Sequence, residues 1–286
     1  MDEGQHRSGF WGRLPVILRA VIVGTIVGLA AANVWPLLLI KLGMPIAGAA
    51  EAVFLAAYVW WARGGGPLRS FQARRRDSFR TKKLSRAQWC WGLIAALFFA
   101  LTAHAAIILL FRLLPFPAAA FHVGYDFSFI PSAPLRWLAI LVSAASAGIC
   151  EETGFRGYMQ RPIEKRHGVV VAILISSLLF TLVHLNKNWS VVGMVPIIFG
   201  AGILLGTLAW ASQSLVFCMI GHTLMDIGLF AYWWTQIAGS FSERPIFATG
   251  MDLAFYLECG ALTAALVITL IAIARLRHLS LATISS

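Results

Sequence analysis

The sequence predicts an all-α, polytopic transmembrane helical bundle of about eight spans with both termini cytoplasmic. Composition, run length and charge placement predict it. Of the 286 residues, 59% are hydrophobic and 12% charged, about half the charged fraction of a typical soluble chain. The apolar residues form runs near twenty long, the length that crosses roughly 30 Å of hydrocarbon. The charges gather between the runs.

The spans are read at 16–40, 44–62, 89–114, 136–158, 169–186, 193–212, 215–235 and 252–274. The first follows Arg7 and Arg13, as a signal peptide would, and Ala30, Ala31 and Ala32 could mimic a cleavage site. Its apolar part, however, outruns the 7–15 residues of a signal core, so we read an uncleaved helix. Spans two and eight carry Glu51 and Glu258 in otherwise apolar interiors. Either acid is explained as well by a helix–helix hydrogen bond or by snorkelling as by a function. Span four begins with the stretch LRWLAILVSAASAGIC, which runs directly into Glu151 and Glu152. Span five carries FTLVH and span seven HTLMD.

The loop RGGGPLRSFQARRRDSFRTKK divides residues 1–88, two helices plus a basic loop, from a six-helix block at 89–286. The catalytic-type residues fall at about 135–235. With eight spans, only Lys41, Arg112, Arg136, Lys187 and Arg244 of the 23 Lys and Arg lie opposite the termini. The positive-inside rule then puts the basic loop 63–86 in the cytoplasm, with an integral location in a bacterial inner membrane expected. The net charge of +11 sits largely on that loop, which can also meet anionic headgroups. No folded basic domain accompanies it, so no nucleic acid is expected as a partner. Cys90, Cys150, Cys218 and Cys259 form no CxxC and read as small hydrophobes rather than zinc or disulfide partners. The outer loop 115–134, with Phe121, Phe127 and Phe129, reads as a Pro-rich connection, with a lid as the alternative.

Ionisable groups inside spans cost about 2.5–3.5 kcal/mol each and are functional candidates by default. Three groups stand out: Glu151, Glu152 and Arg156; His184; His222 and Asp226. Residues four apart share a helix face. Glu152 can therefore pair with Arg156, Asp226 can orient His222, and Phe180 lies one turn before His184. Glu151 is rotated about 100° from Glu152 and is the candidate general base. In one arrangement Glu151 and His184 hold a water, Glu151 takes its proton, and His222 bonds the developing oxyanion. In a second, Glu151, His184 and His222 are metal ligands with an open fourth position, as in catalytic zinc. The residues leave metal-free water activation and Zn both open. Polar interhelical contacts and an ion or proton pathway compete with catalysis for these groups.

Glu151-Glu152-Thr153-Gly154-Phe155-Arg156 fits EExxxR, Phe180 to His184 fits FxxxH, and His222 to Asp226 fits HxxxN/D. In this order the chain resembles the CPBP intramembrane proteases, also called the Abi or CAAX-protease family. They are related to the endoprotease that trims prenylated C-a-a-X proteins and to lysostaphin-resistance proteins. The resemblance implies an intramembrane endopeptidase acting on a membrane-embedded or lipidated protein substrate. It implies Glu151 as the base, His184 as a holder of water and Glu152 with Arg156 as support. His222 and Asp226 would stabilise the oxyanion. Asp226 stands where many members carry Asn; an ionised Asp cannot donate a hydrogen bond, which favours a role orienting His222. A catalytically silent immunity or scaffold protein and a proton-coupled transporter are the rivals. One expectation conflicts with this picture. The spans place His184 about 13 Å from the depth of Glu151 and His222, unless span five shifts or a helix breaks near Gly154 and Gly157.

Overall fold

The computed structural model describes residues 10–118, 126–185 and 193–282. Part of the outer loop, including Phe121, lies outside the described residues, as do Arg7 and Lys187. Among the described residues all regular structure is helical, as expected. Eight apolar helices follow in order: α1 Val16–Leu42, α2 Ile46–Ala62, α3 Arg86–Leu113, α4 Ala133–His167, α5 Val169–His184, α6 Met194–Ser212, α7 Val216–Trp234 and α8 Leu253–Ala282. Six are long and apolar enough to cross a membrane, while α2 and α5 are shorter. The chain is an integral membrane protein.

Local chemistry sets the ends. Ser85 and Gln88 bond each other's backbone N–H groups, a capping box that starts α3. Ser132 caps α4, with a proline in the first turn. Gly168, at φ +87°, adopts the left-handed backbone that glycine accepts most readily and turns α4 directly into α5.

Helix α4 overturns an expected boundary. It does not stop near 158 but continues to His167, through a π-helical stretch at Thr153–Met159. Its last turns, QRPIEKRH, are too polar for a hydropathy-defined span. They are held by the basic loop instead. Arg80 bonds Glu164 at 2.6 Å, Arg161 bonds Asp77 at 3.2 Å, and Lys165 bonds Asp77 at 2.6 Å. Gly157 lies against the Ser78 carbonyl, where a Cβ would approach to 3.0 Å.

The core runs along α3, which packs on α7 and α8 and buries Phe99, Ile107 and Phe111. Helix α7 also packs on α4, and α5 packs on α6. Helix α1 lies on the π stretch of α4. Gly24 and Gly28 face Gly154 there, and a Cβ on Gly154 would meet both the Gly24 carbonyl and the Gly28 Cα at 2.5 Å. Small residues spaced by four allow this approach. The two single acids have partners. Glu258 lies 3.5 Å from the Arg112 guanidinium, which also bonds Asp252 at 2.6 Å. Glu51, fully buried on α2, accepts a bond from Ser146 of α4 at 2.7 Å. Cys150 and Cys218 are buried as expected, but Cys90 is exposed.

Candidate active site

The three motifs converge on one cavity of about 500 Å³ lined by Glu151, His184, His222 and Asp226. That is within the usual size of a ligand pocket. Its walls are mainly apolar, with Trp35 and Leu39 of α1, Phe180 of α5, Ile197 of α6 and Phe230 of α7. Asp126, Phe127 and Phe129 from the described end of the outer loop add to the wall.

The expected 13 Å offset is absent, because His184 Nε2 lies 3.8 Å from Glu151 Oε2. No helix break and no late start of α5 is seen; α5 instead sits deeper against α4 than the hydropathy reading drew it. Gly168 is the pivot: Glu151 lies 17 residues before it and His184 16 residues after it. Equal arms of an antiparallel helix pair end at equal depth. The backbone at Gly154 and Gly157 widens into a π turn without breaking, a local form common beside functional sites.

Glu152 and Arg156 pair at 2.9 Å with no exposed side-chain surface. Arg156 also donates to the Gly202 carbonyl at 3.4 Å, and its guanidinium lies 4.3 Å over the Phe180 ring. Phe180 in turn touches the His184 ring at 4.4 Å between centroids and the His222 ring at 5.8 Å. The phenylalanine of FxxxH is therefore the spacer that sets the cation and both imidazoles around one ring.

The orientation of His222 differs from the expectation. Its Nδ1 donates to Glu152 Oε1 at 2.8 Å, while Nε2 lies 3.5 Å from Asp226 Oδ2. The short hydrogen bond is accepted by Glu152, 70 residues away in sequence, rather than by the helical neighbour Asp226. Two carboxylates flank the ring, one at each nitrogen. His184 Nδ1 lies 2.7 Å from the Phe180 carbonyl. A carbonyl only accepts, so Nδ1 carries the proton and Nε2 of the neutral ring is an acceptor facing Glu151.

The metal arrangement does not fit. Among the described residues no three His, Cys, Asp or Glu side chains converge as a ligand set, and the His222 Nδ1 is held by Glu152. Glu151, His184 and His222 thus line one cavity but, among the described residues, do not converge as a three-residue ligand set.

Sequence reasoning missed the contribution of α1. Trp35 donates its indole N–H to Ser143 of α4 at 2.6 Å, and Leu29, Asn33 and Leu39 extend the same wall. The signal was the spacing of Gly24 and Gly28.

Residues 132–228 match the family model described as type II CAAX prenyl endopeptidase Rce1-like. The match runs from the cap of α4 into α7 and contains all three motifs, over about a third of the chain. No curated protein and no solved structure matches the chain. Residues 132–228, within a helical membrane bundle, are therefore similar to the Rce1-like CAAX-protease family, in agreement with the resemblance read from the motifs. The family so matched is one of peptidases, which supports a peptidase here.

Proposed function

We propose that the protein is an intramembrane endopeptidase that hydrolyses a peptide bond of a membrane-embedded or lipidated protein through water activated by Glu151. The observation that carries this reading is the 3.8 Å gap between Glu151 and His184 at the cavity wall. It is too long for a direct hydrogen bond and suits a water about 2.8 Å from each. His184 Nε2 accepts one water proton and Glu151 the other, leaving a lone pair directed at the substrate. As that oxygen bonds to the peptide carbon, Glu151 takes a water proton and the carbonyl π pair moves onto oxygen. His222 Nε2 donates to this oxyanion. With Nδ1–H already given to Glu152, that donation requires the imidazolium form, and the flanking carboxylates balance its charge. Collapse breaks the C–N bond, and Glu151 returns its proton to the leaving amine.

The apolar wall suits a hydrophobic segment or a lipid chain beside the scissile bond. The family description makes a prenylated C-terminal sequence one substrate to test. The excess of Lys and Arg in loop 63–86 supports a cytoplasmic position for that loop, in a bacterial inner membrane.

The test is cleavage of a quenched library of membrane peptides and prenylated C-terminal peptides by wild type and Glu151→Gln, each with and without chelator. Loss of a general base predicts a fall of about 10²–10⁴ in rate with unchanged folding, and activity that survives chelation. Equal cleavage by both proteins would refute the base assignment. Activity lost to chelation and restored by zinc would refute the metal-free route.

A further inference from the structure

The basic loop holds a second concavity, outside the peptidase site. Two of its arginines are consumed internally. Arg75 donates to the carbonyls of Trp61, Gly65, Pro67 and Leu68 at 2.9–3.3 Å and is 3% exposed. Arg80 is buried against Glu164. Arg63 and Arg76 behave differently. Both are exposed, and neither takes part in an ion pair among the described residues. They converge on one hollow of about 370 Å³, with Trp60 and Gln72 beside them and Gly64 and Gly65 in its wall.

The three consecutive glycines build this hollow. Gly64 sits at φ +93°, and a Cβ there would meet Arg76 Cγ at 2.9 Å. On Gly65 and Gly66 a Cβ would strike the Trp60 ring at 2.5 and 2.9 Å. The loop thus folds directly over the indole and brings Arg76 back beside Arg63. Arg75 also occupies carbonyls at the end of α2, so their partial negative charge does not oppose an anion.

We propose that this hollow binds the headgroup of an anionic phospholipid, with Arg63 and Arg76 on the phosphate. Depth and continuity select a lipid over a free anion. Trp60 is 59% exposed in the last turn of α2, and exposed tryptophan marks the headgroup level. Below it on α2, Val53 is 72% exposed and Ala56 lines the hollow, an apolar track for acyl chains. Two guanidiniums that enter no ion pair among the described residues form a phosphate site of the kind arginine favours.

The full chain is reconstituted in phosphatidylcholine vesicles containing a minority of phosphatidylglycerol, extracted in mild detergent, and analysed for retained lipid by intact-complex mass spectrometry. Retention of phosphatidylglycerol over phosphatidylcholine is expected. It falls about twenty-five-fold in Arg63→Gln/Arg76→Gln and about fivefold in Arg63→Gln alone, since each interfacial arginine contributes roughly a factor of five. Arg74→Gln, exposed on the same loop but outside the hollow, leaves retention unchanged. The single variant keeps the test intact if the double variant unfolds. Equal loss in Arg74→Gln would overturn the proposal in favour of diffuse charge. Displacement by inorganic phosphate at concentrations that leave bulk ionic strength unchanged would reassign the hollow to a soluble anion. Equal retention of both lipids by wild type would also overturn it.

Discussion

Replacing Arg156 by Met keeps the length of the side chain and deletes its charge. In the folded protein this strands Glu152, whose side chain has no exposed surface and whose Oε1 bonds both Arg156 at 2.9 Å and His222 at 2.8 Å. A buried ion pair broken on one side costs about 3–5 kcal/mol, because the remaining charge loses its compensation without regaining water. The lost contact with the Phe180 ring at 4.3 Å adds to that cost. Glu152→Gln should cost a similar amount, since it leaves the Arg156 cation alone. The double variant, with both charges gone, should be more stable than either single one, because neutral replacement of a whole buried pair is often nearly neutral. Equilibrium unfolding in mixed micelles, run as a double-mutant cycle, reads the coupling directly. We expect about 2 kcal/mol or more of coupling, typical of residues in direct contact. Peptidase activity should be lost in all three variants, since each disturbs the carboxylate that orients His222. A single-variant cost below about 1 kcal/mol, the range of an exposed pair, or strictly additive losses, would refute the placement of Glu152 and Arg156 as one buried unit.

Other perturbations test the rest of the architecture. Gly154→Val should cost about 1–3 kcal/mol or more through overpacking, because a Cβ there already meets the Gly24 carbonyl; thermal unfolding in detergent checks it. The same variant should lose activity by parting α1 from the cavity, and full activity would show that α1 is dispensable. Trp35→Phe removes the indole bond to Ser143 and should destabilise by about 1 kcal/mol, measured by the same unfolding assay. Asp77 is pushed upward by burial, but Lys165 and Arg161 outweigh this and hold its pKa below the usual value. Its contribution is therefore present above pH about 3.9 and lost as pH falls through the lower folded-state value. Unfolding followed from pH 5 to 3 should show this loss in wild type and not in Asp77→Asn. The difference should stay under about 1 kcal/mol, because the pair is half-exposed.

The sequence by itself determined the fold class and named the candidate residues that line the cavity. Run length and charge placement specify membrane helices through the cost of burying charge in hydrocarbon. The four-residue spacings of Glu152 with Arg156, Phe180 with His184 and His222 with Asp226 are properties of one helix, and a helix repeats the same geometry wherever it occurs. Contacts between helices carry no such local rule. The extension of α4 to His167 depends on ion pairs with a loop 84 and 88 residues away, so hydropathy ended the helix too early and displaced His184 from Glu151. The partner of His222 had to be chosen between Asp226 on its own helix and Glu152 on another, and packing of α7 against α4 decided it. The entry of α1 into the cavity wall followed from a backbone approach at Gly24, Gly28 and Gly154, visible only once the two helices are in contact. Tertiary structure thus set depth and partnership, because both depend on which distant surfaces pack together, and the sequence pattern within a single helix encodes only its own faces.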